Sequence, residues 1–262
     1  MSPGSIMIFD SLPTGYVLSP TISEISGIAD SKVNPGYVWG QEDSGNPPQL
    51  YLIQHNGVVQ KKVYLKGVTN RDWEDMALAG NDIYIAETGD NGRVYSEYCF
   101  YRFPEPSAST DTVNTIEKIR FVYEDGAHDA ESFLVDPVSK DIYIFTKRDN
   151  PSLLFKLDYP YSLTDVNTAR KVGSLPYTSI VSADITDDGK EVLVKNYSAI
   201  YYYKRVANET IEQALAKPYS TLSYKVEPQG EAISFAQDGS GFFTISEKAF
   251  WNNVQLYFYK RK

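Results

Sequence analysis

Five segments of the chain share one layout, and this recurrence constrains the fold more than any other feature. Each has a small or acidic residue, a short apolar run, a polar turn and a second apolar strand. They read "SGIADSKVNPGYVWG" from Ser26, "EDMALAGNDIYIA" from Glu74 and "ESFLVDPVSKDIYIF" from Glu131. The last two are "SADITDDGKEVLV" from Ser182 and "EAISFAQDGSGFFTI" from Glu231. Their starts are separated by 48, 57, 51 and 49 residues. A period near fifty marks units that bury their apolar faces on one another. Asp187-Asp188-Gly189 and Asp238-Gly239 supply turns at matching places.

A third strand follows in every unit: "LYLIQH", "CFYRF", "LLFKL", "IYYYK" and "VQLYFYK". A fourth follows in the first four: "VVQKKVYL", "EKIRFVY", "ARKVGSL" and "STLSYKV". The fifth unit ends at Lys262 without one, while "IMIFDSL" near the start has no unit of its own. The expected fold is an all-β, five-bladed β-propeller of four-stranded blades, closed by the N-terminal strand. Residues 1–262 then form a single domain. Closure removes the exposed edges of the first and last sheets. A six-bladed ring with one degenerate blade and a pair of β-sandwiches are the rival layouts. "NETIEQALAKP" has helical character and falls between the third and fourth strands of the fourth unit.

Composition agrees with β-structure, since 21 Tyr and 12 Phe favour pleated, half-buried surfaces. A net charge of −9 argues against nucleic acid or an anionic membrane as the main partner, and suits cations. The single Cys99 excludes an intramolecular disulfide framework and a multi-cysteine zinc site. No apolar run is long enough for a membrane span. "MSPGSIMIFDSLP" lacks a basic n-region, so the chain carries no signal peptide as it stands. A monomer located outside the cytoplasm is expected, with a cytoplasmic location left open.

Aligned repeats set Ser26, Glu74, Glu131, Ser182 and Glu231 as a ring at one depth of the central channel. Three carboxylates converging in a narrow tunnel repel unless protonated or neutralised. Calcium, which takes six to eight oxygens in flexible geometry, is the economical counter-charge. The ordinary alternative is that each acid merely bonds nearby backbone. Glu24 stands ready to supplement Ser26, and strand alternation would turn Asp75 away from the channel. "DITDDG" fails as a calcium loop, with Thr186 and Lys195 where acids belong.

Loops after the second strands carry Glu42, Asp43, Glu87 and Asp90 on one arc. Lys147, Arg148, Lys195 and Lys248 occupy another, with Arg93 near the junction. Such a cationic arc suits a small anionic, phosphate-containing ligand, although loops are commonly charged without one. His128 is the only credible imidazole acid or base, because His55 lies in a turn. If there is catalysis, Asp43, Glu87, Asp90 and His128 are the candidates to assist a metal-activated water.

"DWEDMALAGNDIYIAETGDNGR", followed by "YRFPEP", resembles a pattern in secreted bacterial propeller proteins. The wider layout resembles the calcium-activated nucleotidases (apyrases), five-bladed propellers with calcium in the central channel. That resemblance implies metal ligands at Ser26 in "EISGIA", Glu74 in "WEDMAL", Glu131 in "HDAESF", Ser182 in "VSAD" and Glu231 in "GEAISF". It also implies basic loop residues Lys147, Arg148 and Lys195 in "FTKR" and "VKN". "QEDSG" lacks the arginine that follows in that family, so the resemblance speaks for the metal more than for nucleotide hydrolysis. Two readings follow. One is a calcium-binding propeller acting as a phosphoester or phosphoanhydride hydrolase. The other is a non-enzymatic binding module with a structural ion.

Overall fold

The structure is a computed structural model and describes residues 8–248 and 253–262. The first strand is β1 (Thr14–Val17), and four strands follow as β2 (Ile25–Asp30), β3 (Tyr37–Glu42), β4 (Gln49–Gln54) and β5 (Val59–Leu65). Next come β6 (Trp73–Ala79), β7 (Asp82–Glu87), β8 (Tyr98–Pro104), the short β9 (Thr112–Val113) and β10 (Glu117–Tyr123). The third group is β11 (Ala130–Val135), β12 (Ile142–Thr146), β13 (Leu153–Leu157) and β14 (Asn167–Ser174). The fourth is β15 (Ile180–Ile185), β16 (Glu191–Asn196), β17 (Ile200–Lys204), helix α1 (Ile211–Leu215) and β18 (Ser220–Leu222). The last is β19 (Gly230–Phe235), β20 (Gly241–Ser246) and β21 (Gln255–Lys260).

The chain is thus all-β with almost no helix, and its sheets are antiparallel meanders with two exceptions. A parallel pairing of β10 with β14 joins the second and third groups into one eight-stranded sheet. β9 adds to β5 in parallel. Neither pairing was expected from the strand pattern, because both join outer strands of different repeats. The innermost strands β2, β6, β11, β15 and β19 each lie beside the next, and β19 lies beside β2.

The core lies between successive sheets. One cluster packs Phe100 and Phe121 against Phe133 and Phe155, and another packs Trp39 and Leu52 against Trp73 and Ile85. Three more join the third group to the fourth, the fourth to the fifth, and the fifth to the first. Each buried large side chain contributes on the order of 1.5–3 kcal/mol. All five apolar seams run between neighbours, which leaves the centre of the ring to polar residues.

Among the described residues the edge of the last sheet is closed by Thr14–Val17, paired antiparallel with β21, and the described part of "IMIFDSL" forms no strand there. Of that segment, residues 6 and 7 lie outside the described residues, and Phe9 makes only an isolated bridge to Arg261. Gly15 lets the backbone of this strand lie on Tyr257, where a Cβ would come 2.7 Å from the ring. Buried Leu18 and Ile22 then anchor the segment. Helix α1 sits between β17 and β18, started by a capping box of Thr210 and Gln213.

Candidate metal centre

Each innermost strand carries one extra residue near its start. The paired residues jump from Ile25/Glu42 to Gly27/Gln41, and from Ala130/Thr146 to Ser132/Phe145. They jump likewise from Ile180/Asn196 to Ser182/Lys195, from Gly230/Ser246 to Ala232/Ile245, and from Trp73/Glu87 to Met76/Ile85. A β-bulge re-aims side chains, so equivalent positions must be read from this register. By that register Ser26, Glu74, Glu131 and Glu231 correspond, but the fourth member is Val181. Ser182 lies one step deeper, in the layer of Asp75.

The bulge also turns Asp75 inwards, against the simple alternation of a strand. Its buried carboxylate accepts hydrogen bonds from Ser182 Oγ at 3.0 Å, Ala183 N at 3.3 Å and Met76 N at 2.9 Å. Burial, ahead of every other influence, pushes this carboxyl well above its ordinary range. Ser26 is likewise committed: its hydroxyl donates to Trp73 O and accepts from Gln41 Nε2 at 2.9 Å. Gln41 also donates to Glu74 O at 2.6 Å. Lys195 occupies the equivalent place on β16 and donates to Gly230 O of the next innermost strand. It is fully buried, 5.1 Å over the Tyr224 ring, and burial lowers its pKa to about 8.

At the end of the ring where these strands begin, Asp43, Asp72 and Glu74 come together, with one carboxylate oxygen of each within 4.8 Å of the others. Asp43 directly follows β3, Asp72 directly precedes β6, and Glu74 is the bulge residue of β6. Asn70 holds the two loops in register, donating to Glu42 O at 2.9 Å and Asp43 O at 2.7 Å while accepting from Trp73 N at 3.1 Å. Asn46 adds a bond to Asp43 O at 3.1 Å. Gly89 closes the side of the cluster. A Cβ there would collide with Glu74 Oε1 and stand 2.6 Å from Asp72 Oδ2.

Electrostatics are unfavourable for an unneutralised cluster. Burial, with the charges of Asp43 and Asp129, raises Asp72 to about 6. Burial, then Glu131, Asp43, Asp72 and Glu231, raises Glu74 well above the carboxylate range. Asp43 is raised too, by burial first and by Glu24. Glu247 reaches about 8 through burial and the charges of Glu231, Asp43 and Glu24. Among the described residues the Glu74 carboxylate accepts no hydrogen bond. Three converging carboxylates, a backbone that leaves room and mutual repulsion could supply part of the oxygen shell of a hard divalent cation.

Of the four candidate acids and bases, only Asp43 belongs to this cluster. Glu87 accepts from Arg71 N and Tyr101 OH, each at 2.7 Å. Asp90 accepts from Val94 N, Tyr95 N and Tyr98 OH. Burial would raise its carboxyl, yet these bonds hold it below the usual range. His128 is held between Asp149 at 3.0 Å and Asp125 at 2.9 Å, with Tyr123 and Phe155 against its ring. Arg93 pairs with Asp149 at 2.9 Å, Arg148 with Asp129 at 2.7 Å, and Lys147 with Glu131. Lys248 is exposed, and its backbone N–H bonds Ser23 O. Arg93, Lys147 and Arg148 are therefore each paired with an acid.

Asp72 is the member of this cluster that the repeat alignment does not single out. A signal was present: two residues before the bulge position stand Glu24, Asp72 and Asp129 in the first three units. A second acidic register of that kind identifies the loop entering the channel.

No family model matches the chain, and no curated protein matches it. Among solved structures it is similar to one described as the PQQ-bound form of aldose sugar dehydrogenase from Streptomyces coelicolor, with a TM-score of 0.53 and 8% identity. The likeness covers 97% of this chain and 100% of that one. At such identity it is a likeness of fold, and it agrees with a β-propeller-like arrangement of repeated strands. No helix among the described residues is long and apolar enough to cross a membrane.

Proposed function

We propose that the chain is a single-domain, five-bladed propeller that binds a divalent, oxygen-preferring cation at its channel mouth. Calcium is the first choice, and Asp43, Asp72 and Glu74 are its protein ligands. The observation that carries this reading is the convergence of the three carboxylates, within 4.8 Å, around Gly89. Calcium would supply the counter-charge that the raised carboxyls lack, while Asn70 and Asn46 hold the ligand loop. The five apolar seams between successive sheets support the blade count.

A non-enzymatic binding module is favoured over a phosphohydrolase by a specific observation. A phosphoryl group needs unspent cations, yet Arg93, Lys147 and Arg148 are each paired with an acid and Lys195 is buried. Calorimetric titration of the chelated protein with calcium tests the reading, comparing wild type with Asp72→Asn. One ion per chain, weakened at least tenfold in the variant, is expected. Absence of binding in wild type refutes it. A phosphatase and nucleotidase panel distinguishes the two classes: calcium-dependent turnover lost in Asp72→Asn would restore the hydrolase.

A further inference from the structure

We infer that the side of the acidic ring away from the mouth cluster, Glu131 with Glu231, takes no metal because Lys147 is its resident cation. Glu131 and Glu231 share the register of Glu74 but are not among the proposed mouth ligands, so the inference stands whether or not calcium binds there.

Three observations carry it. First, Lys147 follows β12 and its ammonium pairs with Glu131, which is 5% exposed. The ammonium also lies 5.3 Å over the Tyr197 ring, whose hydroxyl donates to Glu231 Oε1 at 2.7 Å. One aromatic thus braces the cation and one of the acids it faces. The charges of Glu131, Glu231 and Glu74 all act on Lys147 and raise its pKa, against the lowering effect of burial.

Second, the ring offers few donors besides its acids, which favours the lysine over a metal. Its fourth position is Val181, and the Ser26 hydroxyl is already donating to Trp73 O. Calcium asks for six to eight oxygens, whereas an ammonium offers three donors and is content with fewer acceptors. Third, Glu131 Oε2 is buried without a hydrogen-bond partner, as fits an acid neutralised from one side by a single charge. A lysine reaching in from the strand end, with its stem along the channel wall, supplies that charge permanently.

It follows that Lys147 is what limits the channel to a mouth site, and that its removal exposes a latent cation position between Glu131 and Glu231. The test uses a background in which the mouth is disabled, Asp43→Asn with Asp72→Asn, and the probe is terbium luminescence checked by calcium calorimetry. With Lys147 present this background should bind no ion. Adding Lys147→Ala should create one site per chain, lost again with Glu131→Gln, while Lys147→Arg should create none. If the Lys147→Ala protein does not fold without metal, recovery of its cooperative melting transition by calcium supports the inference. Failure of calcium to restore folding, or a folded variant that binds no ion, overturns it. An ion bound between Glu131 and Glu231 while Lys147 is still present overturns it too. Loss of binding in wild type with these arms intact counts against the mouth site alone.

Discussion

Asp75 on β6 and Ser182 on β15 meet across the centre of the ring, with Ser182 Oγ donating to Asp75 Oδ1 at 3.0 Å. The two strands are separated in the ring by β11, so the bond spans the channel. It fills the layer beneath the acids with fixed polar contacts. Removing a buried, hydrogen-bonded acceptor leaves donors unpaired. Asp75→Ala should cost about 2–3 kcal/mol and Ser182→Ala about 1 kcal/mol in urea denaturation. Their coupling in a double-mutant cycle should be at least about 0.5 kcal/mol. Additive single effects would show that the channel bond contributes nothing.

The proposed cation site depends on the missing side chain of Gly89. Its φ is ordinary, so Gly89→Ala is a test of space and not of backbone strain. The added methyl would displace Glu74 Oε1 and the Asp72 carboxylate, both ends of movable side chains. Calcium affinity should fall at least tenfold, about 1.4 kcal/mol, while the melting temperature of the chelated protein changes little. Unchanged calorimetric affinity would move the ion away from this cluster.

How much of this was legible in the sequence depends on which physical rule governed each residue. The repeat, the strand order and the acids at the strand starts follow from period-two patterning and turn residues, which are local. The bulges are not. One extra residue in each innermost strand replaced Ser182 with Val181 in the ring and turned Asp75 inwards. Lys195 looked like a rim cation, but pairing with Ser182 puts it in the channel beside Tyr224. The closing strand described is Thr14–Val17, where Gly15 lies on Tyr257, and a close approach of that kind between distant segments is not a local signal.

Calcium should raise the melting temperature by mass action, since the unfolded chain has no assembled site. At a hundredfold excess over Kd the gain is about 2.7 kcal/mol. For a chain of this size that amounts to roughly 5–10 °C. Scanning calorimetry with calcium and with EDTA checks it, and Asp72→Asn should abolish the difference. A shift of equal size in that variant would assign the ion to other ligands.

Asp184 offers a pH readout separate from the metal. Burial, opposed by hydrogen bonds that include Phe235 N at 2.7 Å, raises its carboxyl from 3.8 to about 7. The native state therefore holds a proton that the unfolded chain releases above about pH 4. Stability must fall as pH rises from about 4 to about 7, and level off for this group beyond that. Asp184→Asn should flatten that slope in denaturation curves recorded across the window. An unaltered slope would show that Asp184 is ionised in the folded protein.

Lys195 and Gln41 occupy equivalent registers, and each hydrogen-bonds a backbone carbonyl of the next innermost strand, Gly230 O and Glu74 O respectively. The lacing role needs only a donor, but Lys195 also faces buried Glu227, whose carboxyl burial raises and the lysine lowers. Leaving a buried acceptor unpaired costs about 1–3 kcal/mol, and Lys195→Ala is expected to cost at least that. Lys195→Gln should recover part of the loss by bonding Gly230 O as Gln41 bonds Glu74 O. Lys195→Ala combined with Glu227→Gln should recover part of it by removing the stranded charge. Urea midpoints for the three variants separate the contributions. Equal destabilisation by all three would mean that neither the carbonyl bond nor the charge pair matters, and that the lysine acts through its packed stem.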